Sequence, residues 1–101
     1  MSIPSLIFER LCQYSIKAGL NPNHFNFKVE EIEENKKYSI HLNYIPNKVE
    51  KTFQLRPYYE AGATSEYLLN SQIANNVMMF IESIKPREEW PNDQSKLEGN
   101  Q

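Results

Sequence analysis

The feature that most restricts this chain is a change of hydrophobic period, from helical spacing to alternation and back again. Tyr38, Ile40, Leu42 and Tyr44 alternate with Ser39, His41 and Asn43. Successive side chains on a strand point to opposite faces, so this run has one apolar and one polar face. Phe25, Phe27 and Val29 alternate with Asn26, Lys28 and Glu30. Val49, Phe53 and Leu55 alternate with Glu50, Thr52, Gln54 and Arg56. Three strands are predicted, the third ended by Pro57. A turn near Glu34-Asn35 and another at Pro46-Asn47 join them. Connections this short imply an antiparallel meander.

Helical spacing flanks the strands. Ile3, Ile7, Leu11, Tyr14 and Ala18 recur at intervals of four and three and predict a helix over residues 3–19. Ser2 suits its cap, Pro4 its first turn and Gly19 its left-handed end. Leu69, Ile73, Val77, Phe80 and Ile84 predict a second helix over 64–84. The order α-β-β-β-α implies an α+β fold. It is a two-layer sandwich, a three-stranded antiparallel meander covered on one face by two helices. Residues 1–86 form one compact domain on this reading. Residues 87–101 turn to Pro, charge and amide and read as a polar, mostly disordered tail, with Trp90 able to pin its first part.

With 101 residues and 40% hydrophobic content, the core is modest, at a size where a partner often adds stability. A net charge of -2 gives no general attraction to nucleic acid or anionic membrane. Cys12 is the only cysteine, which suits a reducing compartment. Neither a signal peptide nor a stretch of roughly 20 apolar residues is found, so a cytoplasmic location is expected.

The candidate surfaces follow from what the core leaves over. Phe8, Cys12 and Ile16 form a second apolar face on the first helix, either packed beside the second helix or free for a partner. The second helix carries only Glu66 and Glu82 as charges. Its outer side reads Gln72, Asn75, Asn76 and Ser83, with Leu68 and Met79 among them, which suits a protein contact. Tyr59, beside Arg56, suits one too. Both outer strands of a meander have open edges, which could join two copies into one six-stranded sheet. On the polar sheet face, Lys28, His41, Asn43, Gln54 and Arg56 are either an ordinary wet surface or a binding surface centred on His41 and Arg56. In RPYYEAGATSEY, Thr64 and Ser65 open the second helix, as a cap or as a weak anion site.

Catalytic and metal-binding patterns are missing. His24, His41 and Cys12 have no metal-ligand spacing, and the carboxylates at 30, 31, 33 and 34 read as a solvated run. No cofactor is expected, and no enzyme.

Over residues 3–84 the element order resembles the double-stranded RNA-binding domain. That family grips phosphates with a lysine-rich start to its second helix. Here the corresponding residues read ATSEYLLNSQ, without Lys or Arg. The expectation is therefore a small protein-binding module of the inhibitor, immunity or accessory kind, bacterial or phage in type, acting as a homodimer or on a protein partner. The alternative is a nucleic-acid binder using the sheet face.

Overall fold

The computed structural model describes residues 2–34, 37–56 and 65–91, with only the backbone at 65–67. Helix α1 spans Ile3–Ala18. The Ser2 hydroxyl accepts from the Ser5 amide at 3.3 Å, and Pro4 sits in the first turn, where no N–H is needed. Gly19 ends the helix at φ 78°, and its amide donates back to the Ile16 carbonyl at 3.0 Å. A β-carbon at Gly19 would lie 2.9 Å from Pro91 Cγ. Glycine is thus required there for both conformation and space.

A 3-10 turn at Pro22–His24 leads into β1 (Phe25–Glu33), then β2 (Lys37–Tyr44) and β3 (Val49–Leu55). The sheet is antiparallel in the order β1-β2-β3. Register puts Phe25 opposite Tyr44, Phe27 opposite Leu42 and Val29 opposite Ile40. On the other side Val49 faces Tyr44, Lys51 faces Leu42, Phe53 faces Ile40 and Leu55 faces Tyr38. These rows form the inner face. The pairing shifts between Glu31 and Glu33, and Ile32 at that irregularity is exposed.

Helix α2 spans Ser65–Ile84. It packs against α1 and β3, while α1 also meets β1. Ser2, Ile3 and Pro4 share a groove with Leu69, whereas Gly19 abuts Lys85 and Pro91. The two helices therefore run in the same direction across one sheet face. This is the two-layer sandwich that the hydrophobic periods imply.

The core joins Ile7, Leu11, Tyr14 and Ala18 of α1 to Ile40, Leu42, Phe53 and Leu55 of the sheet and Ile73, Val77, Phe80 and Ile81 of α2. Phe25 packs on Tyr44 with ring centres 4.9 Å apart and meets Phe80 edge-on at 6.1 Å. Three α1 positions depart from the expected stripe. Leu6 and Ser15 are buried and Ile3 is only partly so. Ser15 satisfies its hydroxyl within the helix, donating to the Cys12 carbonyl at 3.1 Å.

The compact body runs past the boundary expected at residue 86. A second 3-10 turn at Arg87–Glu89 carries Trp90 back into the core, where it is 0% exposed. Its indole N–H donates to the Lys85 carbonyl at 2.8 Å, and the Arg87 guanidinium lies 5.5 Å from the ring. Composition pointed to a tail here because Pro, Arg and Glu surround a single large apolar side chain. The rest of the expected tail, residues 92–101, lies outside the described residues.

Candidate functional site

Three surfaces carry the candidate residues. The first is the outward side of α1. Phe8 is 61% exposed and Ile16 55%, with Cys12 half-buried between them. The alternative in which this face packs beside α2 is thereby corrected. Each residue turns a helix by about 100°, so Phe8 points well away from Ile7, and the buried stripe already meets both the sheet and α2. Two large apolar side chains are left in water four residues on either side of Cys12.

The second surface is the flank of α2. Met79 is 57% exposed and Leu68 half-buried. Gln72 locates this flank, because its side-chain oxygen accepts from the Arg56 amide at 3.5 Å, at the end of β3. Leu68, Gln72, Asn75, Asn76, Met79 and Ser83 follow at helical spacing and so share one side. Asn76 donates to the Gln72 carbonyl at 2.8 Å and Ser83 to the Phe80 carbonyl at 2.6 Å. None of the six is charged.

The third surface is the outer face of the sheet. Register sets Lys28, His41 and Thr52 in one row, Glu30, Ser39 and Gln54 in the next, and Asn26, Asn43 and Glu50 on the other side. Lys28, Glu30, Ser39, His41 and Thr52 border a shallow hollow of about 340 Å³. A neighbouring hollow of about 250 Å³ adds Asn26, Phe27 and Asn43. His41 is held on both sides. Its Nε2 lies 2.7 Å from Glu50 Oε1 and its Nδ1 2.9 Å from Thr52 Oγ1. An ionised carboxylate can only accept, so Nε2 donates to Glu50.

His41 and Arg56 do not form a common centre. Arg56 lies four residues beyond Thr52, about 13 Å along a strand. Glu50 and Glu30 share the face instead, so carboxylates offset Lys28 while one of them, Glu50, holds His41. Alternation from Thr52, two residues away, is signal enough to place Glu50 on this face. Ile32 and Ile45, both exposed, escaped the sequence reading. One sits at the register shift and the other in a turn, where no period applies.

At the end of the sheet a groove of about 600 Å³ is bordered by Ile3, Pro4, Val29, Glu31, Tyr38 and Leu69. The Tyr38 hydroxyl donates to Glu31 at 3.2 Å. Burial, and then Glu31 through its hydrogen bond and its charge, raises the Tyr38 hydroxyl above its ordinary value of 10.0. Tyr59 and Thr64 lie outside the described residues. Ser65 is the first residue of α2, with its side chain likewise outside.

Among the described residues no group of three or more His, Cys, Asp or Glu is placed to hold a metal ion. No described helix is long and apolar enough to cross a membrane. Comparison with known proteins finds no family model, curated protein or solved structure that matches this chain.

Proposed function

We propose that the protein is a small non-catalytic protein-binding module of the inhibitor, immunity or accessory kind, working by association with a second copy or with a protein partner. The observation that carries this reading is the exposure of Phe8, Ile16 and Met79 on the helical layer. A chain this small has little apolar surface to spare, and large apolar side chains clustered at helical spacing mark contact surfaces more than they help the monomer. The uncharged flank of α2 adds to the case, because burying it desolvates no ionised group.

Light scattering through a dilution series tests the reading. A mass above one chain at micromolar concentration that falls on dilution supports self-association. A one-chain mass throughout, with no protein bound by the immobilised chain from host lysate, overturns it. Phe8→Asp and Met79→Asp then separate the two helical surfaces, since each buries a charge in only one of them.

The second reading, nucleic-acid binding by the sheet face, draws on Lys28 bordering both hollows. Glu30 and Glu50 in the rows on either side weigh against it, since phosphate affinity rests on uncancelled cations.

A further inference from the structure

We propose that the outer edge of β3, together with the overhanging flank of α2, docks a second copy of this chain. The two β3 strands pair antiparallel with Thr52 on the two-fold axis. The inference rests on the protein-binding reading above and names which of its surfaces holds the second copy.

The two sheet edges are unequal. The β1 edge carries Glu30, Glu31 and Glu33, and its pairing is broken between Glu31 and Glu33. Charge and irregularity both blunt an edge against a new strand. The β3 register is continuous from Val49 to Leu55, without proline, and among the described residues no strand pairs with its outer side. The Arg56 amide also reaches Gln72 rather than β2. Alternate residues of an antiparallel ladder turn their N–H and C=O to the same side. Counted back from Arg56, Gln54, Thr52 and Glu50 turn theirs outward, toward an incoming strand.

Charge selects the register. If the helices of both copies are to lie on one face of a continuous sheet, the axis must pass through a residue of β3. An axis at Lys51 sets two ammonium groups opposite each other, which is unfavourable. An axis at Phe53 requires Arg56 to enter the ladder, although its amide is already engaged by Gln72. An axis at Thr52 uses the whole strand and sets no like charges opposite. Thr52 then faces Thr52 of the second copy, Glu50 faces Gln54, Lys51 faces Phe53 and Val49 faces Leu55. Threonine pairs and a cation beside an aromatic ring are favourable cross-strand neighbours. Lys51 points inward, which deters strands in general, but in this register it meets a ring rather than a second cation.

The α2 flank completes the surface. Gln72 ties the start of this flank to the end of β3, and α2 then runs back along the strand until Phe80 meets Phe25, in the row of Val49. The middle of the flank therefore lies nearest the axis at Thr52, where Asn75 and Asn76 supply donors and acceptors and Met79 supplies apolar area, with no charge to desolvate.

Light scattering at micromolar concentration on the full chain and three variants, Thr52→Glu, Thr52→Lys and Phe8→Asp, tests this. Far-ultraviolet circular dichroism and Trp90 fluorescence check that each variant is folded. The unaltered chain and Phe8→Asp are expected to give the mass of two chains, each Thr52 variant alone the mass of one, and an equal mixture of the two Thr52 variants two chains again. That restoration requires residue 52 to face itself, and loss of the His41 contact, common to both variants, cannot produce it. If Thr52→Glu associates as well as the unaltered chain, or if the mixture stays at one chain, this inference is overturned. If Phe8→Asp is the variant that dissociates, the inference falls and the protein-binding reading stands. A one-chain mass for the unaltered chain at every concentration removes the second copy as occupant, whatever other protein the chain holds.

Discussion

Trp90 gains its place by combining a large apolar body with a single donor that finds the Lys85 carbonyl. Replacing it with alanine removes the transfer free energy of the ring and leaves a cavity between the helix ends. The expected cost is about 3–5 kcal/mol, read as a lower urea midpoint. Gly19, against the same segment, has φ 78° and no room for a β-carbon. Tyr38 makes a pH prediction whose sign follows from its environment. Its hydroxyl titrates above its ordinary value in the folded chain, so folding favours the neutral form. The associated stability is fully present below the ordinary tyrosine pKa and is lost as pH rises through the raised one. Urea midpoints followed into the alkaline range should therefore fall, and Tyr38→Phe should remove its share of that fall. An unchanged alkaline slope in the variant would show that other groups cause it.

The elements differ in how fully they are engaged. Among the described residues β2 is paired on both sides, whereas β1 and β3 each keep one open edge and differ in how it is guarded, one by acidic residues and a shifted register, the other by Glu50 and Lys51. Helix α1 buries a continuous stripe and leaves Phe8 and Ile16 outside it. Ser15 lies within that stripe, fully buried, where only a small side chain is accommodated. Ser15→Leu should overpack this position and cost about 1–3 kcal/mol by chemical denaturation. Ser15→Ala, which keeps the volume and loses only a local hydrogen bond to Cys12, should come within about 1 kcal/mol of the unaltered chain.

At the scale of the whole molecule, two parallel helices roof one face of a small sheet, and the segment after α2 closes the far end. A chain ended after Lys85 loses the Trp90 closure. Its melting temperature should drop by at least as much as that of Trp90→Ala, at about 4–8 °C per kcal/mol for a domain of this size. The outer sheet face interleaves Lys28 and His41 with Glu30 and Glu50, and the net charge is -2. Immobilised heparin should therefore not retain the protein at low salt, and retention that fades steeply with added salt would favour the nucleic-acid reading.

The order of residues by itself determined the two helices, the three strands, the caps of α1, the turn at Pro46-Asn47, and the sorting of each strand into an inner and an outer face. Hydrophobic period and cap chemistry act between neighbours a few residues apart, so they can be read along the chain. The exposure of Phe8, Ile16 and Met79 was legible as a surplus, but not its outcome. Only the packed structure decided that α2 leaves the Phe8 face open, that Trp90 belongs to the core, that Glu50 rather than Arg56 attends His41, and that Gln72 reaches the end of β3. Each of these depends on distances between elements far apart in sequence, which are set by how the layers fill space together.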